Sequence, residues 1–147
     1  MKLIIILLVI ACLIQTSFLP INLVLILLIC RSLARQDKLN YFLAFFSGIL
    51  LGILTPTNIG FYSLTFLLAV FISEILHQTP ISSNIFTVIP VTFILTLVIG
   101  GLEMLFLGQS LNLVTAILGS LIALPIYIGV KFWEERFIVT PHMKLKL

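Results

Sequence analysis

Glu103 is the residue of this chain best placed to do chemistry in an apolar environment. It is the one charged side chain in a stretch that runs from residue 85 to residue 107. Carboxylates are costly inside a membrane, and those that occur there often serve a partner, a ligand or a proton path. Because Glu103 lies four residues before Leu107, we expect an interfacial group hydrogen-bonded to a neighbour such as Gln109, or a partner or ligand site. A proton relay would need a second ionisable group within reach, and the predicted spans supply none.

The other reactive side chains do not form catalytic or metal-binding patterns. Cys12 and Cys30 lie in apolar runs without a Cys-x-x-Cys context, and we expect small buried thiols. Glu74 and His77 lack a third ligand nearby, and His142 is far along the chain. The sequence contains no Gly-x-Ser-x-Gly, His-Glu-x-x-His or P-loop motif. We therefore predict a protein that is not an enzyme, with no catalytic residue, cofactor or metal.

Composition indicates what surrounds these side chains. The chain has 147 residues, of which 61% are hydrophobic and only 9% are charged. Soluble domains carry about 25% charged residues, so this chain has too little polar surface for water. The net charge of +3 comes from basic residues that flank apolar stretches, and we expect contact with membrane lipids and none with nucleic acid.

The apolar stretches predict an all-α membrane protein, a compact bundle in one transmembrane domain over residues 1–147. A helix needs about 20 residues to cross ~30 Å of hydrocarbon. Turn and charged residues divide the chain into six predicted spans and a cytoplasmic tail: about residues 3–18, 21–33, 39–54, 61–76, 85–107 and 113–132, then 133–147. Pro20 separates the first two spans, which are short. A single kinked helix, giving five spans in total, is the alternative.

Basic residues predict the orientation. The eight Lys and Arg side chains form three groups, at residue 2, residues 31–38 and residues 131–146. With six spans all of them fall on one side, so the positive-inside rule predicts a multi-pass inner-membrane protein with both termini in the cytoplasm. Arg31, Arg35 and Lys38 form a cytoplasmic basic rim, where we expect cytoplasmic partners to contact the chain together with the tail.

Small residues in the third predicted span indicate close helix packing. Ser47, Gly48 and Gly52 form a small-xxx-small face, which lets two helix backbones approach closely in lipid. This face packs against another helix of the chain or against a partner protein. A turn motif follows it, made of Thr55, Pro56, Asn58 and Gly60 with Thr57 between them.

This region resembles the MreD family of bacterial rod-shape-determining membrane proteins. The stretch SGILLGILTPTNIGFYSLTFLLAVFISEIL has the glycine-led apolar helix, short turn, second glycine and long apolar span of that family. Gly48, the turn at 55–58 and Gly60 fall in register, and the resemblance covers roughly residues 3–80. The family often has an aspartate where this chain has Gly52, so any role of that acid is not carried over.

The resemblance implies a non-enzymatic scaffold of the cell-elongation complex, which supports peptidoglycan synthesis along the cell cylinder. Its partners would be an MreC-like protein and, through it, MreB and the peptidoglycan synthases. It also implies a fold similar to the substrate-binding subunits of energy-coupling-factor transporters. The alternative function is therefore a membrane subunit for uptake of a vitamin-like small molecule. The polar side chains available for such a site are few: Gln15, Ser47, Thr65, Thr92, Thr96, Glu103, Thr115 and Ser120.

Overall fold

The chain folds as a bundle of α-helices in a computed structural model that describes residues 2–17, 21–56, 58–79, 84–110 and 112–137. The six helices of these ranges are α1 (Lys2–Ser17), α2 (Leu23–Ala34), α3 (Lys38–Leu54), α4 (Ile59–His77), α5 (Val88–Leu107) and α6 (Leu113–Phe137). A 3-10 turn, Ile85–Thr87, precedes α5. The predicted all-α class is confirmed, since the described ranges contain no strand.

Several sequence predictions fall outside the described residues. These are the end of the first span at Phe18, the break at Pro20, Thr57 of the turn motif, and the chain beyond 137 with His142. Helix α6 extends past the predicted span end at 132 to Phe137. The part of the predicted tail at 133–137 is therefore helical.

Helices α1 and α2 are separate and held together at their junction. The Gln15 side chain accepts a hydrogen bond from the Val24 backbone N–H at 3.2 Å and donates to Asn22 Oδ1 at 2.8 Å. A continuous helix would separate residues 15 and 24 by about 13 Å along its axis, so the chain turns back here. The kinked single helix is not what the described residues form.

Helix α2 occupies the middle of the bundle. Every residue from Val24 to Leu33 is buried, and α2 contacts each of the other five helices. Its 12 residues span about 18 Å, short of the ~30 Å of a hydrocarbon core. A helix that is apolar on all sides is typically buried, and α2 fits this rule because no side of it faces solvent or lipid.

Helices α3 and α4 form the closest helix pair. A Cβ added to Gly48 would collide with the backbone of Ser63, reaching 2.5 Å from its nitrogen. A Cβ on Gly52 would lie 2.8 Å from the carbonyl oxygen of Ile59. Ser47 is buried on the same helix. The small-residue face of α3 therefore receives the backbone of α4 in this chain.

Small residues also let α6 approach α2. Gly119 and Ala123 are buried on α6, and the Cys30 thiol lies 3.4 Å from the carbonyl oxygen of Ala123. A Cβ on Gly119 would lie 3.1 Å from the end of the Ile26 side chain. The two helices pack closely because α6 contributes small residues, Gly119 and Ala123, to the contact.

The outer surface of the bundle is apolar. Large exposed side chains include Phe46, Leu64, Ile94 and Leu121, each more than half exposed. Within the described residues, three helical segments are long and apolar enough to cross a membrane: Ile59–His77, Ile85–Leu107 and Leu113–Arg136. These features are consistent with a membrane protein.

Candidate functional site

A cavity of about 580 Å³ opens where the α1–α2, α3–α4 and α5–α6 connections meet. We call this region the cavity end of the bundle. All six helices or their end residues contribute to the cavity. Its polar lining is Gln15, Thr16, Asn22, Thr55, Tyr62, Thr96, Glu103, Gln109, Ser110, Asn112 and Thr115. Sites for small ligands usually have volumes of about 300–1,000 Å³, so the cavity has a suitable size for one.

A chain of hydrogen bonds orders the side chains of the cavity. The Val24 backbone N–H donates to Gln15 Oε1, and Gln15 Nε2 donates to Asn22 Oδ1. Asn22 Nδ2 then donates to Glu103 Oε1 over a long distance of 3.5 Å. The backbone of α2 thereby orients two amides so that the last N–H points at the carboxylate. Asn22, rather than the expected Gln109, is the hydrogen-bond donor to Glu103 in the described chain.

The α5–α6 connection forms part of the rim. Gly108 ends α5 with a φ of 66°, a left-handed conformation that glycine adopts without steric cost. Asn112 begins α6, where its side chain accepts a hydrogen bond from the Val114 N–H at 3.1 Å. The exposed side chains of Gln109 and Ser110 lie between these two ends and line the cavity. The cavity mouth therefore lies in a polar loop between two helix ends.

The opposite end of the bundle holds a second polar cluster, which joins α2, α3 and α4. Asn40 is 1% exposed and donates to the Arg35 carbonyl oxygen at 2.8 Å and to Glu74 Oε1 at 3.2 Å. Gln36 donates to the Glu74 carbonyl oxygen at 3.0 Å. His77 Nδ1 lies 2.6 Å from the Leu33 carbonyl oxygen. These contacts tie α4 to the α2–α3 connection, so the cluster has a structural role.

Arg31 and Glu134 form a buried ion pair at this end. Arg31 Nε lies 3.5 Å from Glu134 Oε1, and the side chains are 4% and 8% exposed. Neither of these two atoms has a hydrogen bond to a described residue. The contact between Arg31 Nε and Glu134 Oε1 is therefore electrostatic. It joins the end of α2 to the end of α6.

Only part of the predicted basic rim is exposed on the protein surface. Arg31 is buried against α6 and is not accessible to a cytoplasmic partner. Arg35 is half-buried, and Lys38 is exposed at the start of α3. Sequence alone placed Arg31 at the rim because Glu134, its partner in space, is more than 100 residues away along the chain.

The structure brings some of the predicted site residues together and separates others. Glu103 and Thr55 both line the cavity, and Thr55 also bonds the Leu51 carbonyl oxygen at the end of α3. Pro56, Asn58 and Gly60 are exposed. The sequence analysis does not identify Asn22 or Asn112 as cavity residues. Asn22 could have been identified, because it is a polar amide between two strongly apolar stretches.

Among the described residues, no group of three His, Cys, Asp or Glu side chains lies close enough together to hold a metal ion.

Comparison of the chain with protein-family models, with curated proteins and with solved structures finds no match. The geometry of the cavity end and the packing of α3 on α4 are thus the features from which function is inferred.

Proposed function

We propose that this chain is a non-enzymatic scaffold of the bacterial cell-elongation complex, of the kind that the MreD family represents. The observation that carries the proposal is the resemblance at residues 48–60. Its glycines and turn form the α3–α4 hairpin, the closest helix contact of the bundle. An MreC-like protein is the proposed direct partner, with MreB and the peptidoglycan synthases bound through it.

The proposal includes six membrane spans with both chain ends in the cytoplasm. It is supported by the charge distribution and by the meeting of three helix connections at the charge-poor cavity end. The short α2 would cross the membrane at the centre of the bundle, where the longer helices around it shield it from lipid. The Arg31 end would then face the cytoplasm and the cavity end the periplasm.

Cysteine labelling tests this topology. In a background with Cys12 and Cys30 replaced by alanine, single cysteines are placed at the exposed positions Gln36 and Ser110. We expect a membrane-impermeant maleimide added to intact spheroplasts to label position 110 and not position 36. Both should react in inverted vesicles or after permeabilisation. Labelling of position 36 from outside would contradict the orientation.

The packing of α3 restricts where a partner binds. A partner at Ser47, Gly48 and Gly52 would have to displace α4, whose backbone occupies that face. Partner contacts within the membrane are therefore assigned to the exposed apolar faces of the bundle. Cytoplasmic contacts are assigned to Arg35, Lys38 and the segment after α6, because Arg31 is buried.

Co-purification tests the scaffold function. A tagged copy of this chain is expected to retain the MreC-like protein of the same genome, and its depletion should convert rods to spheres. Replacing Arg35 and Lys38 by glutamine, with Arg31 intact, should weaken capture of cytoplasmic components while insertion stays normal. Lys131, which lies outside the basic rim and the tail, changed to glutamine is the control. Absence of both MreC capture and shape loss would refute the scaffold proposal.

A second candidate function is favoured by one observation, the polar cavity. A cavity of about 580 Å³ with ordered amides and one carboxylate suits a substrate-binding subunit of a small-molecule uptake transporter. The genes beside this one distinguish the two functions. An adjacent MreC-like gene supports the scaffold, and adjacent transporter ATPase and membrane-subunit genes support uptake.

A further inference from the structure

The described residues that line the cavity carry one formal charge. It belongs to the carboxylate of Glu103, and none of these residues is Asp, Lys, Arg or His. An anionic ligand group would meet the carboxylate without a cation to offset the repulsion. The cavity therefore favours a neutral or positively charged ligand.

Glu103 retains acceptor capacity towards such a ligand. A carboxylate can accept about four hydrogen bonds, and the long contact from Asn22 is the one that the described residues provide. Asn22 is itself held by Gln15, so its N–H is directed at Glu103 before any ligand arrives. The carboxylate is thus oriented but incompletely paired.

Part of the cavity lining is apolar. Leu97 from α5 and Ala116 from α6 line it and keep some exposed surface, whereas Leu25, Ile26 and Ile99 are each 1% exposed and offer a ligand almost none. The rim carries the exposed polar residues Gln109, Ser110 and Asn112. A ligand with a polar head and an apolar body fits this distribution better than a uniformly polar one.

We propose that this cavity binds an organic cation whose primary ammonium group pairs with Glu103 and whose apolar part packs on Leu97 and Ala116. A charge-assisted hydrogen bond between ammonium and carboxylate is roughly twice as strong as a neutral one. Two sources present this group, a free amine solute and the ethanolamine headgroup of a membrane lipid. The inference rests on the cavity and applies equally to a scaffold and to an uptake subunit.

The first arm of the test uses a free amine. The purified full chain is placed in phosphatidylcholine nanodiscs and titrated with tryptamine and with tryptophol, in which a hydroxyl replaces the ammonium. We expect tryptamine to bind saturably and at least about tenfold more tightly than tryptophol. E103Q should abolish that preference. E135Q, at an exposed position of α6, is the matched control and should keep it.

The second arm tests the lipid source. Nanodiscs that contain phosphatidylethanolamine and phosphatidylcholine are analysed by native mass spectrometry for retained lipid. Selective retention of the ethanolamine lipid by the wild type and the E135Q control, and its loss in E103Q, would assign the site to the headgroup. Saturable tryptamine binding without selective lipid retention would assign it to a free amine.

The proposal is overturned if the wild type shows neither preference, or if folded E103Q keeps the preference of the wild type. If E103Q does not yield a monodisperse helical protein, the comparisons of tryptamine with tryptophol and of the two lipids on the wild type decide whether the cavity prefers an ammonium group. These comparisons need no substitution. Capture of the MreC-like protein is measured on the same preparations. Intact capture without amine or ethanolamine-lipid binding would remove this inference and leave the scaffold proposal standing.

Discussion

Gly48→Leu is expected to prevent the bundle from closing between α3 and α4. The added side chain would have to occupy space filled by the backbone of Ser63, which cannot rotate away as a side chain can. Overpacking of a well-packed core commonly costs about 1–3 kcal/mol and occasionally more, and the clash here is with backbone atoms. We expect a large fall in the thermal unfolding midpoint of the detergent-solubilised protein, or loss of folded protein altogether. Gly52→Leu should act in the same direction.

A matched control separates this clash from the general effect of replacing a helical glycine. Gly101 lies on α5, and a Cβ there would meet no atom within 4 Å. Gly101→Ala should leave the unfolding midpoint unchanged or raise it, whereas Gly48→Ala should lower it. Equal midpoints for the two alanine variants would contradict the close α3–α4 contact. Lost partner binding in a Gly48 variant would by itself reflect this internal damage rather than a partner surface.

Arg31→Met is expected to produce the second large effect. It removes the cation that faces Glu134 and leaves a buried carboxylate without its charge partner. Breaking a buried pair in this way typically destabilises a protein by about 3–5 kcal/mol. Denaturation in mixed micelles with increasing sodium dodecyl sulfate would show the change as a lower unfolding midpoint.

Two further variants decide whether the ion pair or the packing of the Arg31 side chain is responsible for the loss of stability. Replacing both Arg31 and Glu134 by methionine should recover most of the lost stability, since buried ion pairs can often be replaced by apolar groups of similar volume. Glu135→Gln, an exposed neighbour on α6, should shift the midpoint little. A double variant as unstable as Arg31→Met alone would show that the charge pair is not the source of the effect.

The glycine spacing predicted close packing, but not the partner. Gly48 and Gly52 are one helical turn apart, so they share a face in any α-helix. Whether α4 or another protein occupies that face depends on the geometry of the turn at 55–58 and on the direction in which the chain returns. That information is not contained in the spacing of two glycines.

For the charged residues, too, the sequence predicted which side chains are unusual but not which residues surround them. Because only 9% of the residues are charged, the sequence indicates that Arg31 and Glu103 have particular roles. The buried position of Arg31 differs from the exposed rim that the sequence predicts, and the donor to Glu103 is Asn22 rather than Gln109. Arg31 is buried because α2 is at the bundle centre, and Glu103 joins a cavity because Asn22, 81 residues away, is brought to it.

The sequence by itself determined the all-helical class, the apolar surface and the approximate helix boundaries, because hydropathy, turn residues and charge act over neighbouring residues. Only the tertiary structure decided that α2 is the buried centre, that Arg31 pairs with Glu134, and that three connections enclose a cavity around Glu103. Each of these depends on side chains that are distant in the chain. In a sequence this uniformly apolar, many helix arrangements bury similar areas, so the few polar contacts and close glycine contacts select among them.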